Sequence, residues 1–73
     1  MTARPRKHSL TLRGHRTSVS LEEEFWRELQ RLAQAENRSV NALVAEIDAS
    51  RGVSSGLAAA IRLHVLAALK AGR

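Results

Sequence analysis

The side chains best suited to chemistry on a ligand lie in one stretch, Arg13-Gly-His-Arg-Thr-Ser-Val-Ser-Leu21. Its arginines offer a fixed fork of N–H donors that matches phosphate oxygens or the paired acceptors of a guanine edge. Its serine hydroxyls donate or accept, and so read either class of base only weakly. That is the chemistry of recognition rather than of catalysis. Elsewhere there is no nucleophile–base pair, carboxylate dyad or phosphate-cradling glycine loop, and 73 residues are too few to enclose a substrate pocket. His8, His15 and His64 lack ligand-like spacing, and cysteine is absent, so neither a metal nor any other cofactor is expected.

Charge supports the same reading. The net charge is +5, and Arg4, Arg6, Lys7, Arg13 and Arg16 precede the first acid, Glu22. A basic lead of this kind attracts polyanions. The N-terminus does not resemble a secretory signal, since no apolar run follows the basic residues. The most apolar stretch, Leu57 to Leu69, is about two thirds of the roughly 20 residues a bilayer span needs and carries Arg62 and His64. A cytoplasmic protein that does not enter a membrane is the expectation, in keeping with the lack of cysteine.

The elements that would position these residues follow from periodicity. Residues 1–8 hold Pro5 and no apolar pattern, and read as a flexible basic arm. Ser9 to Leu12 alternates polar and apolar residues until Gly14 interrupts. Alternation resumes in the other phase, with Thr17, Val19 and Leu21 on one face and Arg16, Ser18 and Ser20 on the other. The phase change reads as a bulge or strand boundary, with Arg13, Gly14 and His15 as that bulge or as a lead-in to the strand. A strand this short is not stable alone. With no second strand of matching quality apparent, its partner is expected in another chain, and oligomerisation also suits a domain that hides only about 60% of its unfolded surface.

Ser20-Leu-Glu-Glu23 matches a capping box for a first helix whose apolar positions are Phe25, Leu29, Leu32 and Ala33, with Trp26 beside them. That helix should end near Glu36-Asn37, with Asn37 in the left-handed conformation. Ser39 is the natural cap of a second helix, whose Val40, Leu43, Val44 and Ile47 share a face. After a turn-rich link, Ser54 or Ser55 caps a third helix running to about Lys70. Its main stripe is Leu57, Ala58, Ile61, Val65, Ala68 and Leu69, with Leu63 and Leu66 outside it. The expected division is residues 1–8 as arm, 9–50 as core domain and 51–73 as linker and C-terminal helix.

A basic strand followed by two helices across a tight turn resembles the ribbon-helix-helix family. Asn37-Arg-Ser-Val-Asn41 is similar to the turn and second-helix start of Arc-type repressors, and the likeness covers roughly residues 15–48. Leu12-Arg-Gly-His-Arg-Thr-Ser-Val-Ser-Leu-Glu resembles a bacterial subfamily with an added C-terminal helix. The resemblance implies a mainly α fold and an intertwined homodimer, with one short strand per chain forming an intermolecular antiparallel ribbon in the DNA major groove. By position it makes Arg16, Ser18 and Ser20 the base-reading residues. Thr17, Val19 and Leu21 would pack inward on Phe25, Trp26, Leu29, Leu43, Val44 and Ile47 in the dimer core. Ser39 and the N–H groups of Val40 and Asn41 would hold a phosphate, with Arg13, His15 and Arg38 as further backbone contacts.

Arc-type readers carry longer side chains where Ser18 and Ser20 stand, so Arg16 would dominate the preference. Arc also has a buried Arg–Glu–Arg triad. Arg38, Leu43 and Ile47 stand at the matching positions here, and the two apolar residues would release Arg38 toward phosphate. The function expected is that of a DNA-binding transcriptional repressor. An antitoxin-like interaction module, binding a partner protein through the C-terminal helix, is the alternative. A helix-turn-helix would present Asn41, Ala45 and Asp48 to the groove and leave the strand without a role. The deciding observation is a dimer with residues 15–20 paired antiparallel across its two-fold axis; a monomer in which this segment pairs internally would sink the reading.

Overall fold

A computed structural model describes residues 4–51 and 56–73. The chain order is β1 (Arg6–Leu12), β2 (His15–Leu21), α1 (Glu23–Ala35), α2 (Val40–Ser50) and α3 (Leu57–Lys70). The two strands form an antiparallel hairpin, from Arg6 opposite Leu21 down to Leu12 opposite His15. The chain thus supplies a strand partner of its own, which corrects the expectation of a single strand whose partner lies only in another chain. The strand also takes in Arg6, Lys7 and His8, which composition alone placed in a flexible arm.

Of the two readings of the phase change at Gly14, the strand boundary is the one found, as a two-residue hairpin turn. Arg13 (φ 53°) and Gly14 (φ 81°) both adopt the left-handed conformation, as the two-residue turn that matches strand twist requires. Across such a turn, even positions of β1 lie opposite odd positions of β2, and opposed residues share a face. Leu10 and Leu12 therefore join Val19 and Leu21 on one buried face despite their different parity. Each of these side chains contributes about 1.5–3 kcal/mol by leaving water, which is what holds an otherwise marginal hairpin to the helices.

The helices supply the rest of the core: Leu29, Leu32 and Ala33 from α1, Leu43, Val44 and Ile47 from α2, and Ile61, Val65 and Ala68 from α3. Helix α1 starts later than the capping box would have it. Strand β2 continues through Leu21, so Ser20 is still in the ladder, and Glu22 is the cap residue, without a side-chain cap bond. The acidic run is used in tertiary contacts instead. Glu22 pairs with Arg62 of α3 at 2.8 Å, and Glu23 Oε1 lies 3.2 Å from Nε2 of His8. The His8 ring also stacks on Trp26, with centroids 3.9 Å apart and planes 8° from parallel. Strand β1 is thereby pinned to the first turn of α1.

The α1–α2 turn follows its local rules. Asn37 is left-handed (φ 58°), and the N–H groups of Asn37 and Arg38 donate to the carbonyls of Gln34 and Ala33. This is a Schellman closure. Ser39 Oγ then accepts from the Ala42 N–H at 3.0 Å and opens α2. The expected caps of α3, Ser54 and Ser55, lie outside the described residues. Leu69, expected on the buried stripe of α3, is 47% exposed and accompanies Leu63 (65%) and Leu66 (50%) on the outer side. The helix turns 100° per residue, so the stripe centred on Ile61, Val65 and Ala68 has already rotated past Leu69.

Candidate nucleic-acid interface

The face of the hairpin opposite the core carries Arg16, Ser18 and Ser20 from β2 and, directly across from them, Thr11, Ser9 and Lys7 from β1. All six are exposed, and none is acidic. Sequence reasoning found the first three and missed the second three. The signal for them was present in the polar–apolar alternation of β1, once the turn at 13–14 is placed. Arg13 stands at the hairpin tip. His15 is the first residue of β2, paired with Leu12 and exposed on the inner side.

One hydrogen bond fixes the orientation of the backbone. The Thr11 N–H donates to Asn41 Oδ1 at 3.3 Å, across to α2 and away from β2. Thr11–Arg16 is therefore a pair that exchanges no backbone bonds, and in an antiparallel ladder the alternate pairs Ser9–Ser18 and Lys7–Ser20 share that character. The backbone N–H and C=O groups of Arg16, Ser18 and Ser20 consequently point off the outer edge of β2. Among the described residues nothing accepts or donates to them, and the sheet has two strands only. The bond that orients this edge also engages the Asn41 side chain, which holds β1 against α2 and leaves the backbone N–H of Asn41 out of the contact.

The other expected backbone contacts are placed differently from one another. Ser39 is engaged as the α2 cap, and Val40 is half-buried against the core. Arg38 does not face outward to meet phosphate. Its guanidinium bonds Glu46 at 2.5 Å, Glu36 at 3.3 Å and the Ala42 carbonyl at 3.1 Å. Glu36 is bridged in turn by Arg73 at 2.6 Å. The release of Arg38 inferred from Leu43 and Ile47 is thus corrected, because carboxylates from other positions claim it. Hydrogen bonding to Arg38 holds the Glu46 carboxyl below the usual carboxylate range, and the same contact raises the Arg38 value.

This pairing sets a first prediction. Arg38→Ala should lower the melting temperature at neutral pH. The sign of the pH effect follows from the depressed Glu46 value. Its contribution is complete above the ordinary 4.5 and is lost as pH falls through the lower folded value, so wild type and variant should converge in acid. Thermal melts of both proteins across that window check it, and a variant as stable as wild type at neutral pH would show that the ion pairs contribute nothing.

Of the inward positions expected to pack, Val19, Leu21, Leu29, Leu43, Val44 and Ile47 are buried and Phe25 and Trp26 half-buried, all within one chain. Thr17 is the exception. It is exposed and lines an open cavity of about 340 Å³ with Leu12, His15 and Leu57. Among the described residues no group of three metal-ligating side chains occurs, and no helix is long and apolar enough to cross a membrane.

A family model for the ribbon-helix-helix domain matches residues 5–69, nearly the whole chain. The chain belongs to the ribbon-helix-helix family. The match takes in β1 and α3 as well as the strand and two helices that name the fold. As a family, ribbon-helix-helix domains are DNA-binding transcription regulators and not enzymes. Comparison with curated proteins and with solved structures gave no match.

Proposed function

We propose that two copies of this chain join through the free outer edges of β2, and that the resulting sheet lies in the major groove of double-stranded DNA as a transcriptional repressor. The observation that carries this reading is the acid-free outer face of the hairpin, bordered by an edge whose backbone donors and acceptors are unpaired among the described residues. An edge of that kind is a template for another strand. Pairing β2 with its copy gives a four-stranded order, β1–β2–β2–β1, with the two β2 strands at the centre. The two-stranded intermolecular ribbon expected from the family becomes the middle of a wider sheet.

In that sheet Arg16 reads the bases, because it alone on the central strands carries a bidentate donor, and Ser18 and Ser20 contribute close but weakly selective contacts. A guanine contact by arginine discriminates by about 1–3 kcal/mol, or roughly 5- to 150-fold per half-site. Arg16→Ala should lower preference for the selected site by about that factor, measured by competition between the site and random duplex. If the variant keeps both the affinity and the preference of wild type, the groove-insertion model is wrong.

The exposed Leu63, Leu66 and Leu69 on α3 favour a second reading, in which this helix binds a partner protein in the manner of an antitoxin. Large apolar side chains grouped on one helix face are unusual on a surface with no partner. In native cells a stoichiometric partner should then co-purify with wild type and be lost on Leu66→Glu with the oligomeric state unaltered. Absence of such a partner removes this reading without touching the first.

A further inference from the structure

We infer that β1 is a phosphate-gripping strand that flanks the base-reading strands, with Lys7 as its cationic contact and Ser9 and Thr11 as hydroxyl contacts. The inference rests on the dimer proposed above and assigns a separate task to a strand that the strand-helix-helix plan does not require.

The width of the sheet decides between floor and wall. Neighbouring strands lie about 4.8 Å apart, so the two β1 strands of a four-stranded sheet are separated by three spacings, about 14 Å. The major groove of B-DNA is about 12 Å wide and admits two strands side by side. The central β2 strands therefore occupy the floor, and each β1 falls over a sugar–phosphate wall. Lys7, Ser9 and Thr11 point to the same face as Arg16, Ser18 and Ser20, since each stands opposite one of them in the ladder. They meet phosphate where the β2 residues meet bases.

Two features fit that placement. The side chains are of the right chemistry, an ammonium and two short hydroxyls, with no carboxylate among the residues of either strand to repel a phosphate. The Asn41 bond to the Thr11 N–H also holds β1 beside the start of α2, whose first N–H groups carry the partial positive charge of a helix N-terminus. One wall of the groove is thus met by β1 and the α2 start together. If instead the hairpin of a single chain were the inserted ribbon, β1 would sit on the floor and Lys7 would read bases. The two arrangements give opposite results for one substitution.

The experiment compares wild type, Lys7→Ala and Lys7→Arg on a site selected from random duplex and on unrelated duplex, across a salt series. Lys7 is exposed, so the fold should be retained, and far-ultraviolet circular dichroism verifies it. Lys7→Ala should weaken both duplexes by the same factor. The slope of log affinity against log salt should become shallower by about 1.8, which is about 0.9 for each of two phosphate contacts per dimer. Lys7→Arg should restore the slope. A change in base preference with Lys7→Ala, or an unchanged slope, overturns the assignment. Those failures are distinct from failure of the groove-insertion reading, in which Arg16→Ala would also leave base preference untouched.

Discussion

Ser18→Pro should leave the hairpin folded while, under the proposed β2–β2 pairing, converting the dimer to a monomer and lowering affinity for the selected DNA site by on the order of 10³-fold or more, toward the non-specific level. The expectation follows from the direction of one N–H group. Because the Thr11 N–H points away from β2 to Asn41, the alternation of the ladder points the Ser18 N–H away from β1. Proline there removes a donor the hairpin does not use, and its ring projects into the space a second β2 would enter. Prolines are tolerated on such free edges and not within paired ladders. Thr17, the residue before it, is already extended, as a preceding residue must be.

Two controls separate edge pairing from other effects. Ser18→Ala keeps the N–H and loses only the hydroxyl, so it should remain dimeric with slightly altered site preference. Val19→Pro removes an N–H that faces His8 across the ladder and should unfold the hairpin. Sedimentation and circular dichroism on the three variants give the answer. A Ser18→Pro protein that stays dimeric places the subunit contact elsewhere, and the exposed apolar side of α3 is then the surface to test.

The parts of the fold legible in sequence were those governed by rules spanning a few residues. Asn37 as a left-handed terminator and Ser39 as a cap each depend on one turn of backbone, and both stand as expected. The apolar spacing of α1 and α2 identified Leu29, Leu32, Leu43, Val44 and Ile47, all buried. The hairpin was missed because its turn has arginine where asparagine or aspartate is usual, and because Arg6, Lys7 and His8 make β1 look like a charged arm. Parity held the missing signal: apolar residues at even positions before the turn and odd positions after it are what a two-residue hairpin demands.

Other differences arose where a distant residue prevailed over a local one. Ser20 and Glu23 satisfy the capping pattern, but β2 keeps Ser20 and His8 engages Glu23. Arg38 looked free on its own helix turn, but Glu46, eight residues on, lies within reach across the first two turns of α2. For the interface, the residue types were readable and their neighbours were not. Arg16, Ser18 and Ser20 emerged from alternation alone, whereas Lys7, Ser9 and Thr11 belong to the same face only through pairing.

Leu43→Ala should cost about 2–5 kcal/mol, because its side chain is fully buried where α2 meets the rest of the core and alanine leaves a cavity there. A domain of 73 residues has about 4–11 kcal/mol of stability in total, at roughly 0.05–0.15 kcal/mol per residue. One methyl-rich side chain thus carries a large part of the margin, and much of the variant should be unfolded near physiological temperature. DNA affinity should fall as well, although Leu43 touches no ligand, since the apparent constant scales with the folded fraction. That loss is recoverable. Duplex at 100 times its dissociation constant stabilises the folded form by about 2.7 kcal/mol, so the variant should refold on excess DNA and then show the base preference of wild type. Arg16→Ala should behave in the opposite way, with a wild-type melting temperature and a preference that no excess of DNA restores. A Leu43→Ala protein with unchanged melting temperature would show that the core does not run through α2, and the placement of β1 beside that helix would fall with it.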